Sequence, residues 1–401
     1  MKKLLFALIA ILLIAVVFVP NVATAEEAGD NNGEQPMYVA DFVEQLCKLR
    51  REGGDAKAFL KEKFNVALAG HGAVSEQPFY VDGKDYVNLF ATLEKPGERS
   101  YKQIIIGAHY DSVGEGAGDN ACGVAALYYA MQSLALDVRK LPCNVTFVAF
   151  DGEEGGLLGS QYYVSKMRQA DIDNTLVMFN FDSVAGGDKM YLMCENKSTD
   201  LAKLLLSNPW CGIVEKPYAK GTFNLYDPYG YGYYERVQGS DHTPFRLAGI
   251  PTAFFFSGTY SATVWNYAES ADPNKVVMNT LSDTYENLVK NCSDFDSRIL
   301  SVAGTVVDTV LSDEFMPVAE NARKQLVNLN FWYNILWPII AAVVIAIVAI
   351  VLAIFYHRKL QKNAILGGAE IKNQTVFDKP KAEDIFSFKS DDADDIFTYK
   401  K

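Results

Sequence analysis

The sequence predicts an α/β fold in which strands and helices alternate around a parallel sheet, followed by one transmembrane helix. Two observations predict this. Short apolar runs of strand length alternate with segments of helical apolar spacing between residues 103 and 256, which is typical of parallel βαβ units. A longer uncharged run at 335–356 has about the 20 apolar residues that a helix needs to cross a bilayer.

The predicted elements follow in a regular order. Helical apolar spacing over 37–64 predicts one or two amphipathic helices, and residues 80–93 form a strand pair near a turn at Asp82-Gly83. The alternating elements are then a strand at 104–108, a helix at 123–135, a strand at 145–150, a helix at 157–167 and a strand at 176–181. A late buried strand at 250–256 and a closing helix at 289–311 complete a domain placed at 37–320.

The first 25 residues have the order of a secretory signal peptide, with Lys2 and Lys3, an apolar run, and then Ala23-Thr24-Ala25. An uncleaved anchor is the alternative, because the apolar run is nearly long enough to span a bilayer. Residues 26–36 are acidic and contain glycine, which predicts a flexible leader. The domain at 37–320 is therefore expected in the lumen of the secretory pathway, in an endolysosomal compartment or at the cell surface.

Aromatic residues flank the apolar run at 335–356, and basic residues follow it directly. This pattern predicts a single-pass type I membrane protein with residues 357–401 in the cytosol. The tail is polar and too short for a core, so we expect disorder. Its repeated acidic-acidic-Ile-Phe motif, at 383–389 and 394–400, is either a paired docking site for a cytosolic adaptor or an incidental similarity.

All six cysteines precede the membrane segment, in a compartment that permits disulfides. The candidate pairs are Cys194 with Cys211 and Cys47 with Cys292. Three glycosylation sequons in the part before the membrane segment predict a glycoprotein, and they begin at Asn144, Asn196 and Asn291. The net charge of −12 argues against a nucleic-acid partner.

Reactive side chains follow the ends of the predicted strands. His109 follows the first, the pair Glu153-Glu154 follows the second, Asp182 follows the third, and Asp119 closes a glycine-rich loop on the same edge. Because ligands of open α/β sheets bind outside the carboxyl ends of the strands, we expect these side chains in one crevice. On an extended backbone, Glu153 and Glu154 would point to opposite sides and serve different partners.

Such a cluster of carboxylates requires compensation, because neighbouring negative charges raise each other's pKa. A pair of divalent metal ions supplies it, and imidazole with carboxylate suits zinc. Asp111 can accept a hydrogen bond from the far ring nitrogen of His109 and fix its orientation. Singly, each residue has a structural explanation, such as a helix N-cap for Asp119 or Asn120, so the metal hypothesis depends on their convergence.

Several segments together resemble metallopeptidase family twenty-eight, which includes bacterial leucyl aminopeptidases, glutamate carboxypeptidases and glutaminyl cyclases. These segments are His109-Tyr110-Asp111-Ser112, Gly118-Asp119-Asn120 with Gly123, Phe150-Asp151-Gly152-Glu153-Glu154 continuing to Ser160, and Phe181-Asp182. The resemblance covers roughly 103–288. It implies a phosphorylase/hydrolase-like zinc exopeptidase fold, with a mixed, mainly parallel central sheet flanked by helices.

The resemblance also implies two zinc ions. Asp119 would bridge them, His109 and Asp182 would complete one site, and Glu154 would bind the other ion. The family's last ligand is a histidine, and Asn279 stands at that position. An amide oxygen is a poorer zinc donor than imidazole, which puts the second site in doubt.

By the same resemblance, Glu153 would be the general base and Asp111 would orient His109. His242 is the other histidine of the matched region, but the family does not usually use it as a ligand. Residues 226–234 are rich in tyrosine, and they form either an aromatic wall over the crevice or a loop packed on the fold.

These observations predict a membrane-anchored zinc exopeptidase, an aminopeptidase that hydrolyses peptides. Retention of the base and most ligands favours an enzyme, whereas Asn279 favours a weakened relative that binds peptides or partners, as nicastrin does. A glutaminyl cyclase is a third hypothesis, but the short connection at 154–160 looks more like the peptidases.

Overall fold

A computed structural model describes residues 37–373 except for 53, 98–100, 187–188, 195–198, 209–239, 259, 262–263 and 266–277. The chain divides into two compact units, Met1–Asn330 and Phe331–Lys401. The predicted signal peptide, the leader and both tail motifs lie outside the described residues, as do Asn196, Cys211 and the tyrosine-rich segment at 226–234.

A seven-stranded sheet forms the centre of the first unit, in the order β1-β2-β4-β3-β5-β7-β6. Its strands are β1 (Ser75–Val81), β2 (Lys84–Leu93), β3 (Gln103–His109), β4 (Asn144–Phe150), β5 (Thr175–Phe181), β6 (Lys189–Cys194) and β7 (Thr252–Gly258). Strands β4, β3, β5 and β7 run parallel, while β2 and β6 join them antiparallel. The predicted mixed α/β class is confirmed. A separate two-stranded ribbon joins β8 (Tyr260–Ser261) and β9 (Val264–Trp265).

The central strands consist almost entirely of apolar residues because helices cover both faces of the sheet. Every residue of β5 is buried, and so is all of β3 after Gln103. In the register of the sheet, Ile106 lies between Phe147 of β4 and Phe179 of β5. The carboxyl ends of these strands therefore lie side by side at one edge.

Helices pack on both faces of this sheet. Those of the first unit are α1 (Val39–Cys47), α2 (Gly54–Ala67), α3 (Cys122–Leu136), α4 (Leu158–Lys166), α5 (Gln169–Asn174), α6 (Thr199–Ser207), α7 (His242–Leu247), α8 (Tyr285–Asn291), α9 (Phe295–Leu311) and α10 (Phe315–Phe331). One core packs α1, α2, α3 and α9 on one face, and a smaller core joins α4 and α7 to the other. The result is a three-layer domain with its loops at the sheet edges.

Two predictions about this domain are wrong. The closing helix at 289–311 is two helices, because the backbone leaves the helical region at Cys292, with φ −133° and ψ 69°, and Asp294 then begins α9 as its N-cap residue. The disulfide between Cys47 and Cys292 is absent, since Cys47 is a thiol whose sulfur lies 4.0 Å from Nη2 of the buried Arg51. The turn at Asp82-Gly83 is confirmed, with both residues at positive φ.

The second unit contains α11 (Trp337–Asn373), preceded by a turn of π-helix at Trp332–Leu336. Its segment Trp337–Ile365 has a mean hydropathy of 3.2 in its most apolar window, which is fully exposed, so its length and composition suit a membrane span. The helix continues past the predicted end at 356. Most of the residues up to 366 favour a helix and none is proline, and the helix also includes Gly367 and Gly368.

Candidate metal centre

His109, Asp119 and Asp182 form a buried cluster at the carboxyl edge of the sheet. Nε2 of His109 lies 3.1 Å from Oδ1 of Asp119 and 3.6 Å from Oδ1 of Asp182. Nε2 is buried, and no group among the described residues forms a hydrogen bond with it. Ligand atoms of all three side chains lie within 4.8 Å of one another. An imidazole nitrogen and two carboxylates converging in this way fit a zinc ion.

Asp111 connects this cluster to the glutamate pair. Nδ1 of His109 lies 3.1 Å from the main-chain oxygen of Asp111 and 3.4 Å from its carboxylate. A proton on Nδ1 leaves the lone pair of Nε2 directed at the two aspartates. The Asp111 carboxylate also accepts hydrogen bonds from the backbone N–H groups of Glu153 and Glu154, each at 3.0 Å. The sequence predicted the contact with His109 but not this second one.

The loop that carries Asp119 is fixed by Asp283. The carboxylate of Asp283 accepts the backbone N–H of Gly118 at 2.7 Å and that of Asp119 at 2.8 Å. Asp283 is buried, and burial raises its pKa to about 7. Sequence reasoning missed Asp283, because its contacts with the Asp119 loop join segments that are far apart in the chain.

Asn120 attaches the same loop to the end of β5. Its amide nitrogen donates to the carbonyl of Phe181 at 2.9 Å, and its amide oxygen accepts the N–H groups of Gly123 and Ser183. Of the two N-cap candidates, Asn120 therefore makes the capping bond near the start of α3, and Asp119 faces His109.

Arg51 holds the preceding part of the loop, and sequence reasoning missed it. Its guanidinium is buried and donates to the carbonyls of Leu46, Tyr110 and Glu115 at 2.9 to 3.1 Å. In the sequence, Arg50-Arg51 resembles the solvated end of a helix. No local pattern distinguishes the buried arginine from its exposed neighbour.

Asp182 is held by two hydroxyl groups. Ser240 donates to its Oδ2 at 2.6 Å and Ser183 to its Oδ1 at 2.9 Å, while Asn180 donates to Ser240 at 2.7 Å. Burial opposes ionisation of Asp182, but His109 and the two hydroxyls outweigh it and lower the pKa of Asp182. Burial lowers the pKa of His109, but the surrounding carboxylates, Glu153 and Asp182 foremost, outweigh burial and raise this pKa well above its ordinary value.

Glu153 faces this cluster from the loop after β4. Burial raises its pKa well above the ordinary value; His109 opposes this shift, and Asp182 and Asp241 add to it. Asp241 is fully buried, and neither of its carboxylate oxygens has a hydrogen-bond partner among the described residues. Burial raises the pKa of Asp241 to about 7. In the Ser240-Asp241-His242 segment, only the histidine stood out from the sequence as a candidate ligand.

His242 lies outside the metal cluster of the described residues. Its ring stacks on Phe254 with 4.4 Å between centroids, and burial lowers its pKa to about 3. A buried imidazole packed against an aromatic ring is part of the core, which agrees with the expectation that His242 is not a ligand.

Glu154 meets Asn279 on the other side of the glutamate pair. With the amide oriented so that donor faces acceptor, the Asn279 nitrogen donates to both carboxylate oxygens of Glu154, at 3.2 Å for Oε1. Burial, followed by the charge of Asp119, raises the pKa of Glu154 to about 8. Asn279 therefore lies beside Glu154, as the resemblance implied. Both glutamates interact electrostatically with His109, Asp119 and Asp182, so the different partners expected for them remain a prediction.

Comparison with known proteins gives relatives that include named aminopeptidases. The chain is 29% identical over 184 residues to leupeptin-inactivating enzyme 1 of Streptomyces exfoliatus, across 45% of this chain and 38% of that enzyme. It is 31% identical over 173 residues to aminopeptidase YwaD of Bacillus subtilis, across 41% of this chain and 34% of that protein. The chain thus spans little more than a third of the length of each relative.

Among solved structures, LapB of Legionella pneumophila matches with a TM-score of 0.49 and 19% identity, across 70% of this chain and 73% of that one. Glutaminyl cyclase of Porphyromonas gingivalis matches with a TM-score of 0.47 and 20% identity, across 68% of this chain and 96% of that one. The profile of peptidase family M28 matches residues 88–294, a segment that contains His109, Asp119, Asp182 and both glutamates. Because this match covers more than half of the sequence, the chain belongs to peptidase family M28.

Proposed function

We propose that this chain is a zinc-dependent aminopeptidase anchored to a membrane. The observation that carries the proposal is the buried cluster of His109, Asp119 and Asp182, in which Nε2 of His109 has no hydrogen-bond partner among the described residues. The family and the aminopeptidase names of relatives support the reaction class. Zinc in this cluster would act as a Lewis acid and lower the pKa of a water molecule.

Glu153 is the proposed general base. It lies close enough to His109 and Asp182 for their charges to shift its pKa, and its backbone is held by Asp111. A carboxylate with a raised pKa can take the proton of the attacking water and return it to the leaving amine. Asp111 orients both partners, since it contacts the ring of His109 and the backbone of the glutamate pair.

The anchor is the apolar segment Trp337–Ile365 of α11. With basic residues after the apolar run, the proposed topology is type I, with the peptidase domain in the lumen or outside the cell. The substrate is a peptide, and the tail motifs at 383–389 and 394–400 are proposed to bind a cytosolic adaptor.

One observation favours a second candidate, a peptide-binding relative without turnover. Asn279 stands where the resemblance implies a histidine, and it meets Glu154 as a hydrogen-bond donor. This candidate predicts that the chain binds zinc and peptides without cleaving them.

The test is a panel of aminoacyl p-nitroanilides, with N-acetylated versions, applied to the full chain in detergent. We expect turnover of substrates with a free amine only. Glu153→Gln should lose ~10²- to 10⁴-fold in kcat/KM because the proton acceptor is gone, while its zinc content is unchanged. The exposed Glu286→Gln is the matched control. Full activity in Glu153→Gln would exclude Glu153 as the base, and zinc-loaded wild-type chain without turnover would select the binding protein.

A further inference from the structure

We infer that the site holds one zinc ion, in the cluster of His109, Asp119 and Asp182, and that a hydrogen bond between Asn279 and Glu154 replaces a second ion. The inference rests on the proposed function, because it concerns the metal content of the same site. It differs from the two-ion arrangement that the family resemblance implies.

The cluster of His109, Asp119 and Asp182 and the pair of Glu154 and Asn279 differ in what they offer a cation. The cluster presents the Nε2 atom of an imidazole and two carboxylates, all buried. On the other side, the amide group of Asn279 lies against both oxygens of Glu154, and in the orientation that pairs donor with acceptor its nitrogen donates to them. An N–H group occupies the lone pairs that a metal ion would need and cannot itself act as a ligand.

No other imidazole replaces the missing ligand among the described residues. The sequence contains four histidines, of which His109 belongs to the cluster. His71 is exposed in the turn after α2, His242 is stacked on Phe254, and His357 belongs to α11 of the second unit. Glu154 is thus left with an amide neighbour, and amide groups bind zinc more weakly than imidazole.

The hydrogen bond also supplies what a second ion would otherwise provide. The carboxylate of Glu154 is partly buried, and a partly buried carboxylate needs a hydrogen-bond donor or a cation beside it. Two N–H contacts from one amide stabilise the carboxylate without a cation.

The backbone at Asn279 makes the substitution to histidine testable. Asn279 has φ 61°, in the left-handed region, where asparagine and histidine both occur more often than most residues. Asn279→His therefore restores an imidazole next to Glu154 at a backbone position that histidine tolerates.

The experiment counts zinc per chain by mass spectrometry of metals, on full-length protein loaded with excess Zn²⁺ and desalted. We expect one zinc in the wild-type chain, two in Asn279→His and one in the control Gln45→His, an exposed amide on α1. Two ions in the wild-type chain, or still one in a folded Asn279→His, would overturn the inference and leave the proposed function intact. A wild-type chain without zinc would overturn the proposed function itself. The wild-type count does not depend on the folding of any variant.

Discussion

The site has two sides, the cluster of His109, Asp119 and Asp182 and the pair of Glu154 and Asn279. They share one sheet edge but differ in how their side chains are held. Each member of the His109 cluster has a supporting contact, from Asp111 to His109, from Asp283 to the Asp119 loop and from Ser240 to Asp182. The carboxylate of Glu154 is paired instead with a single amide. Supporting contacts of this kind orient metal ligands. Glu154 is also supported through its backbone, which donates to Asp111, so the difference lies in what meets the carboxylate itself.

The elements that carry the residues differ in the same way. His109 is the last residue of β3, and Asp182 directly follows β5, so the buried sheet sets both positions. Asp119, the third member of the cluster, lies in a loop, as do Glu154 and Asn279. Side chains placed by a rigid sheet are preorganised for a cation, whereas loop residues depend on the contacts they make.

The largest expected effect on zinc affinity comes from changing a carboxylate to an amide, and the same change is made once in the His109 cluster and once at Glu154. Asp182→Asn replaces a carboxylate of the cluster by an amide, and zinc affinity should fall by at least ~100-fold, more than the loss of a supporting residue causes. Glu154→Gln makes the same change on the other side and should alter zinc affinity less than ~10-fold. Competition with a chromophoric chelator measures both values. Equal losses in the two variants would mean that Glu154 is also a ligand.

An intermediate effect is expected when the Asp119 loop loses its support. Asp283→Asn places an amide N–H2 against one of two backbone N–H groups, so the loop should shift and zinc affinity should drop by ~10- to 100-fold. The exposed Asp313→Asn serves as the control in the same chelator assay. If Asp283→Asn binds zinc like the wild-type chain, the support around the cluster does not explain the difference between the two sides.

The smallest effect concerns Asp151, which precedes the glutamate pair in the loop after β4 and is not a proposed zinc ligand. Burial raises its pKa from 3.8 to about 6, so the folded chain holds this proton more tightly than the unfolded chain. Its contribution to stability is complete below about pH 4 and is lost as the pH rises through about 6, by up to ~2 to 3 kcal/mol. In Asp151→Asn, one oxygen can still accept from Val87 N and the Tyr110 hydroxyl, and this decline should disappear.

Urea unfolding of the full chain and of Asp151→Asn between pH 4 and 7 measures this decline as the difference between the two, because Asp241 and Asp283, whose pKa values burial raises to about 7, lose their contributions to stability over the same range in both. The same change should be seen in the Asp182→Asn background, because Asp151 acts without zinc. A pH dependence that vanishes in Asp182→Asn would instead assign it to the metal cluster.

The positions of the central parallel strands and of the reactive residues were predictable from the sequence, because long apolar runs form buried strands and the polar residues that end them must lie at the sheet edge. The antiparallel edge strand β6 was not predicted, and β1 begins at Ser75, before the predicted strand pair at 80–93. The sequence also located Asn279 beside Glu154 through the family pattern. The supporting contacts were not predictable. Arg51 acts on loops more than 50 positions away in the chain, and nothing in its neighbours indicates burial.

Similar limits explain the other differences. The break between α8 and α9 depends on the conformation of Cys292 and Asp294, which apolar periodicity does not register. The Cys47–Cys292 disulfide was guessed from the compartment alone, and the compartment permits a disulfide without specifying a pair. Asp241 was overlooked because only the burial of its carboxyl group makes it unusual.

The most direct test of the two-sided site is anomalous X-ray scattering at the zinc edge from crystals of the wild-type chain grown with excess Zn²⁺. We predict one peak beside Nε2 of His109, within reach of Asp119 and Asp182. A second peak between Glu154 and Asn279, about 3.5–4 Å from the first, would show a two-ion site and contradict the account.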